Sequence, residues 1–241
     1  MTYTKINLMC PSYKRLEMLR KFIDSALATC ADKGNLCWTF TINEKDNSYD
    51  DFQWPSNSLL LREDSNDPNL SYYFNQMYCK GVDWGDNVLV SLLGDDMVFE
   101  TQGWDTTILN KINEVNGVGI VHCEDGFCSH GACPVNMFTT RKFVEACGGE
   151  FMCSAFKRFW IDEIWGRLAD MAKCNYFLPN VVIKHNHTSG KNSHDETFRR
   201  LENMGAHEMA GGMEVAREAI WYYVDRMYDN LLDSGILTKG N

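Results

Sequence analysis

The sequence contains no hydrophobic run that approaches the roughly 20 residues needed to span a bilayer. Met1 is followed at once by a short strand-like segment, and the charged and apolar regions of a signal peptide are missing. We therefore expect a cytoplasmic protein without a transmembrane segment, which for a viral chain means the host cytoplasm.

Basic residues are also few, since 23 Lys and Arg stand against 33 Asp and Glu, for a formal net charge of −10. Nonspecific nucleic-acid binding depends on clustered Lys and Arg, so this balance disfavours a broad phosphate-binding surface. A local basic patch stays compatible with it, because the acidic residues can lie on a different face from an active cleft.

The chain has no internal repeat, low-complexity tract or Pro/Gly-rich linker that would separate domains. Its 241 residues suit one well-buried domain, which we place at residues 1–200, with residues 201–241 as a helical extension packed on it. The ten cysteines are scattered through regular-looking segments, so we expect most of them to be reduced packing residues.

Strand-like segments alternate with amphipathic helical segments along the chain. The predicted strands are Ile6–Cys10, which Pro11 should end, Leu36–Ile42, Ser58–Leu61, Asn87–Leu93, Gly117–His122, Pro134–Thr139 and Tyr176–Lys184. The predicted helices are Leu16–Leu27, Leu70–Cys79, Arg141–Cys147, Ile161–Lys173 and Met213–Leu232. This alternation predicts an α/β fold with a mainly parallel, twisted sheet flanked by helices, in which ligands bind at the carboxyl ends of the strands.

The segment Gly94-Asp95-Asp96 directly follows the most apolar predicted strand. Two adjacent carboxylates repel each other unless a cation neutralises them, and a divalent metal ion would do so. The alternative is a solvated acidic turn. The position after a buried strand favours the metal site, because α/β folds bind their ligands there.

Gly94-Asp95-Asp96 is one of several motifs by which the chain resembles the GT-A glycosyltransferases of the family-2 kind, including small enzymes encoded by phages and other viruses. The resemblance extends from Ile6 to about Phe198. The run Pro11-Ser-Tyr13-Lys-Arg15 is similar to the family's Pro-x-Tyr/Asn-x-Arg turn, which contacts the nucleotide. The resemblance implies a Rossmann-like GT-A domain, with its nucleotide-binding half at about residues 1–100 and its acceptor half at about 101–200.

The resemblance also implies roles for several acidic residues. Asp46, with Glu44 as a competing candidate, matches the acidic residue that recognises the base. Asp95 and Asp96 match the DxD-type element, in which the last Asp contacts the metal ion and the preceding one lies near the ribose or metal. Gly94 stands where the family has its first Asp, which leaves the division of labour between Asp95 and Asp96 open.

Asp162 and Glu163 begin a predicted helix and resemble the family's acidic element that supplies a catalytic base, with Asp162 the first choice. The alternative is a carboxylate that caps the helix, which the helix dipole favours.

After the last strand, His187 and His185 are candidate metal ligands, and Lys191 is a candidate for neutralising a diphosphate. In related enzymes, similar His-x-His plus Lys arrangements follow that strand. Both His residues can also be ordinary loop residues, and His185 can pack against the sheet.

Two further groups of residues have a weaker signal. Cys123, Cys128 and Cys133 have the wrong spacing for a zinc knuckle, and their segment is expected to line the acceptor side of the cleft. Three tryptophans could stack on a sugar or base, although each could equally belong to the core. These are Trp104, Trp160 and Trp165.

Together these features predict a metal-dependent, inverting hexosyl- or pentosyltransferase that uses Mn²⁺ or Mg²⁺ and has Asp162 as its general base. The expected donor is a UDP-, GDP- or dTDP-sugar, and the acceptor is a glycan, a protein-linked glycan or a hydroxymethylated DNA base. The alternatives are a sugar-nucleotide pyrophosphorylase, whose Gly-rich loop is missing after Cys10, and an inactive sugar-nucleotide or glycan binding module. A monomer is favoured over an oligomer.

Overall fold

The computed structural model describes residues 1–64, 69–126, 128, 133–157, 160–186 and 212–237. Within these residues, eight strands form one sheet in the order β3-β2-β1-β4-β7-β6-β8-β5. The strands are β1 (Lys5–Ser12), β2 (Leu36–Asn43), β3 (Ser58–Glu63), β4 (Val88–Leu92), β5 (Met97–Phe99), β6 (Ile120–Glu124), β7 (Met137–Thr140) and β8 (Asn175–His185). The helices are α1 (Leu16–Thr29), α2 (Leu70–Lys80), α3 (Trp104–Glu114), α4 (Arg141–Ala146), α5 (Ile161–Met171) and α6 (Gly212–Asp233).

Strands β1 to β4 form the parallel half of the sheet. They read as continuous apolar runs because helices cover both faces of such a sheet. In the other half, β7 runs antiparallel to β4 and β6, β8 runs parallel to β6, and β5 closes the edge antiparallel to β8. The predicted α/β architecture, a sheet flanked by helices, is confirmed.

Two hydrophobic cores lie on the two faces of the sheet. Alternate residues of β1 point to opposite faces, so Ile6 and Leu8 belong to the core under α1 and α3, whereas Met9 belongs to the core under α2, α4 and α5. Helix α6 adds Ile220 and Val224 to this second core. In the described part of the chain, no helix has the length and apolar character needed to cross a membrane.

The structure corrects the sequence predictions at several elements. Strand β1 continues through Pro11 to Ser12. This is possible because β4 pairs with β1 only as far as Asn7, so on that side the missing N–H of Pro11 breaks no hydrogen bond between strands. Strand β6 begins at Ile120, because Gly117 and Gly119 have positive φ and form a turn. Helix α3 and strand β5 had no predicted counterpart.

Two of the three tryptophans considered for stacking belong to the core. Trp104 is fully buried, and its indole N–H donates to the Ala26 carbonyl at 3.3 Å. Trp165 is 1% exposed, and its indole N–H donates to the Phe151 carbonyl at 2.7 Å. Neither ring is therefore available to a ligand.

The fully buried carboxylate of Asp105 fixes α3 to the loop between α1 and β2. It accepts hydrogen bonds from the backbone N–H groups of Ala31 at 2.7 Å and Asp32 at 3.2 Å, and from the side-chain amide of Asn35 at 2.9 Å. Hydrogen bonds to a charged group are the stronger kind, so this anchor contributes substantially to stability.

We expect Asp105→Ala to lower the free energy of unfolding by about 2–4 kcal/mol, because three donors lose their acceptor inside the protein. Urea unfolding would measure this. Asp32→Ala is a control, since the exposed Asp32 side chain only accepts from Gly34 N–H at 2.8 Å and its loss should cost about 1 kcal/mol. An Asp105 variant no less stable than the Asp32 variant would contradict the anchoring role.

Candidate active site

The first part of the site lies where the carboxyl ends of β1 and β4 meet. The hydroxyl of Ser12, the last residue of β1, donates to Asp95 Oδ2 at 2.7 Å. The Tyr49 hydroxyl lies 2.7 Å from Ser12 Oγ and accepts from the Arg15 backbone N–H at 3.1 Å. Residues from three segments thus hold Asp95 in one orientation.

Arg15 supplies the cation next to the carboxylate pair. Its Nη1 lies 3.2 Å from Asp95 Oδ1 and 3.8 Å from Asp96 Oδ2. The guanidinium is nearly buried, so its charge is weakly screened there. Arg15, a residue of the predicted nucleotide-binding turn, therefore offsets part of the repulsion between the two adjacent carboxylates.

The two carboxylates differ in environment and in proton affinity. Burial raises the pKa of Asp95 to about 7, against the opposing effects of Arg15 and the Ser12 hydrogen bond, and the charge of Asp96 adds to the rise. For Asp96, burial would also raise the pKa, but the hydrogen bond and charge of His185, with Arg15, lower it below its usual range. Asp96 is therefore the carboxylate that stays ionised and is better suited to bind a cation.

His185, the last residue of β8, lies beside Asp96. Its Nε2 is 3.4 Å from Asp96 Oδ1. The backbone fixes this approach, because Met97 pairs with His185 across β5 and β8 and the N–H of Asn186 donates to the Asp96 carbonyl at 2.9 Å. Burial would lower the pKa of His185, but Asp96, together with the charges of Asp125 and Asp162, raises it.

The resemblance predicts an Asp at position 94, where the chain has Gly94. A Cβ at position 94 would lie 2.6 Å from Asp96 Oδ1, closer than a real Cβ contact allows. With a side chain at this position, the Asp96 carboxylate would have to move. Gly94 therefore leaves room for this conformation of Asp96.

Asp162 lies in the first turn of α5. Its Oδ2 accepts from the Cys133 thiol at 3.1 Å, and its Oδ1 accepts from the Glu163 N–H at 2.9 Å. The N-cap residue is Trp160, with a φ of 70°, so Asp162 is not the capping residue. The charge of Asp162 also helps to raise the pKa of His185, so its carboxylate lies within electrostatic range of that imidazole.

Glu163 points to a different partner. Its Oε1 accepts from Arg167 Nε at 2.9 Å and from the same guanidinium's Nη2, one helical turn further on. Both side chains are about one-third exposed, so this is a surface ion pair of small energetic weight. Of the two adjacent acids, the structure brings Asp162 to the site.

Asp46 is 7% exposed and binds both its own loop and the turn after β1. Its Oδ2 accepts from the Lys14 N–H at 2.8 Å, and its Oδ1 accepts from the N–H of Ser48 at 3.1 Å and from its hydroxyl at 2.6 Å. Glu44 is exposed, and Pro11 and Tyr13 are half-buried. Base recognition by Asp46 or Glu44 stays a prediction.

Comparison with protein-family models and with curated proteins gives no match. Solved structures do match. The mannosyltransferase PcManGT of Pyrobaculum calidifontis, in complex with GDP-Man and Mn²⁺, aligns with a TM-score of 0.58 at 10% identity, covering 79% of this chain and 59% of that one. TarS of S. aureus aligns with a TM-score of 0.55 at 11% identity, covering 93% of this chain and 43% of that one.

The chain has a Rossmann-like GT-A fold. It spans about three-fifths of the mannosyltransferase and about two-fifths of TarS. At these identities the likeness establishes the fold of the chain. Within this GT-A fold, the Asp95–Asp96 pair, His185 and Asp162 all lie at the carboxyl side of the sheet or on the helix next to it.

The donor atoms of this GT-A site suit a divalent cation that brings other ligands with it. Among the residues that the structure describes, no three His, Cys, Asp or Glu side chains form a group that could hold a metal ion. Asp96 and His185 supply one carboxylate and one imidazole, 3.4 Å apart. Mg²⁺ is usually bound through one or two carboxylates beside substrate phosphates and water, so Asp96 fits such an ion. The imidazole of His185 is a ligand that suits softer metal ions, and only in its neutral form.

His187 and Lys191 lie outside the described residues, so their roles as a metal ligand and as a cation for the diphosphate stay predictions. His185, the other candidate ligand, is the residue that the GT-A fold brings to Asp96. The alternative, that His185 only packs against the sheet, explains less of its surroundings. The side chain is half-buried, and its imidazole lies beside a carboxylate.

The sequence analysis missed Asp125, which is 3% exposed and directly follows β6. Its carbonyl accepts from the His185 N–H at 2.8 Å, and its Oδ1 accepts from the Cys128 N–H at 2.8 Å. The criterion that found Asp95, an acid at the carboxyl end of a buried strand, applies equally to Asp125. The contact between Cys133 and Asp162 has no comparable signal in the sequence.

Proposed function

We propose that the protein is a metal-dependent glycosyltransferase that transfers a hexosyl or pentosyl group from a nucleoside-diphosphate sugar to an acceptor hydroxyl, with inversion at the anomeric carbon. The observation that carries the proposal is the ionised Asp96 beside His185, with the charge of Asp162 within electrostatic range of that imidazole. A structure with the same fold is a complex with GDP-Man and Mn²⁺, which supports a nucleotide-sugar donor and a divalent cation.

In this proposal, Asp96 and His185 would hold Mn²⁺ or Mg²⁺, which would supply positive charge to offset the negative charge on the leaving diphosphate. Arg15, next to both carboxylates, adds positive charge on the same side. Asp95, held by Ser12 and Arg15, fixes the turn from which Asp96 projects. Lys191 is the expected further cation for the diphosphate.

Asp162 takes the proton from the acceptor hydroxyl as its oxygen bonds to the anomeric carbon and the bond from that carbon to the diphosphate oxygen breaks. Inversion follows when the acceptor attacks from the face opposite the nucleotide. The proposed acceptors are a glycan, a protein-linked glycan or a hydroxymethylated DNA base.

A thermal-shift screen with UDP-, GDP- and dTDP-sugars tests donor binding, with and without Mn²⁺. At a concentration about a hundredfold above Kd, the matching donor with Mn²⁺ should raise the melting temperature by about 5–10 °C, because a ligand that binds only the native state stabilises it. EDTA should abolish most of the shift.

Release of the nucleoside diphosphate from the selected donor then separates an enzyme from an inactive binding module. A chain that no donor stabilises in the presence of Mn²⁺ or Mg²⁺ would overturn the proposal.

A further inference from the structure

The carboxylate of Asp162 is held at both oxygens. The Glu163 N–H at Oδ1 belongs to the same helix, whereas the Cys133 thiol at Oδ2 comes from the segment that precedes β7. The thiol therefore orients the Asp162 side chain from a segment outside α5. Cys133 itself is half-buried.

The chemistry of the thiol suits this contact. Burial, followed by the charge and hydrogen bond of Asp162, raises the pKa of Cys133 far above its ordinary value. The sulfur is therefore protonated at neutral pH and acts as a donor to the carboxylate. A thiol is a weak donor, so it can orient a carboxylate with less loss of basicity than a hydroxyl or an amide would cause.

We propose that Cys133 is a positioning residue, whose thiol holds the Asp162 carboxylate in the one orientation from which it acts as a base. The inference rests on the proposed function, because Asp162 is the base of that reaction. In this role Cys133 contacts neither donor nor acceptor. Loss of the thiol should therefore slow the chemical step and leave donor binding unchanged. An orientation error of about 1 Å at a reacting group can cost roughly a hundredfold in rate.

The test compares Cys133→Ala, which removes the donor, with Cys133→Ser, which keeps one. The assay is nucleoside-diphosphate release from the donor selected by the thermal-shift screen, with water as the acceptor. We expect Cys133→Ala to lower kcat by about 10- to 100-fold with KM and the donor-induced thermal shift unchanged. Cys133→Ser should recover most of the loss.

Two controls separate positioning from a structural role. Cys30→Ala removes another half-buried thiol, near the end of α1, and should leave kcat unchanged. In the Asp162→Asn background, Cys133→Ala should have almost no further effect on kcat, because the two residues act as one unit. A merely structural role for Cys133 would instead lower kcat further in that background.

Full kcat in Cys133→Ala, or a folded serine variant no better than the alanine variant, would overturn the assignment alone. If Cys133→Ala does not fold, Cys133→Val keeps the volume without the donor and takes its place. A wild-type chain that releases no nucleoside diphosphate from a bound donor would overturn the proposed function and this assignment with it.

Discussion

Asp96→Asn is expected to lower turnover of the nucleotide-sugar donor about a thousandfold. The amide keeps the shape of the side chain but removes the charge that holds the cation, and metal-assisted charge stabilisation of several kcal/mol corresponds to a factor of this size. The fold should persist, because Asp96 lies at the surface of the site with a side chain that is 16% exposed. Donor release with Mn²⁺ measures the effect, and Mn²⁺ binding can be followed separately by titration.

Asp86→Asn is a matched control for this prediction. It makes the same change in charge at an exposed residue just before β4, at the opposite end of the strand from Asp96, and should leave turnover unchanged.

Asp95→Asn should behave differently from both, since it disturbs a carboxylate held by Ser12 and Arg15 and should reduce stability as well as activity. Normal turnover of a folded Asp96→Asn variant would rule out the proposed metal site.

Asp162→Asn is expected to lower kcat by about 10²- to 10⁴-fold, the usual contribution of a positioned general base. Donor affinity should stay the same, because the proposed function gives Asp162 the acceptor hydroxyl and assigns the cation to Asp96 and His185. The measurement is kcat together with the donor-induced thermal shift. Loss of both in parallel would place Asp162 in donor binding and contradict its role as the base.

Glu163→Gln separates the two acidic candidates that the sequence left side by side. Since Glu163 forms a surface ion pair with Arg167, its replacement should cost less than about 1 kcal/mol of stability and only a small part of the activity. If Glu163→Gln is the more damaging change, the base is Glu163 and the geometry around Cys133 has another purpose.

The fold could largely be predicted from the sequence because its strands are apolar runs and its helices have apolar stripes. Helix α3 was missed because its stripe is short, with Trp104, Ile108 and Ile112 among threonines and asparagines of low helix propensity. Strand β5 has three residues, too few for a periodic signal, and it exists because β8 offers it an edge. The extension of β1 past Pro11 depends on where a neighbouring strand ends, which is tertiary information.

The site could be predicted in part, because acids at strand ends are visible in a sequence. That principle found Asp95 and Asp96, and it would also have found Asp125. The distinct environments of Asp95 and Asp96 depend on Ser12, Arg15 and His185, which come from other elements of the fold. Such partners are set by packing, so the sequence could not divide the roles between the two carboxylates.

The pairing of β5 with β8 also bears on the order in which the protein folds. Asp95 and Asp96 follow the fourth strand, whereas His185 ends the eighth, so the pair joins residues far apart in the chain. Contacts of such long sequence separation carry a large loop-closure cost and tend to form late. During synthesis, a chain whose β8 has not yet left the ribosome would have both carboxylates but lack the imidazole of His185. The proposed affinity for a donor would then arise only at the last stage of folding.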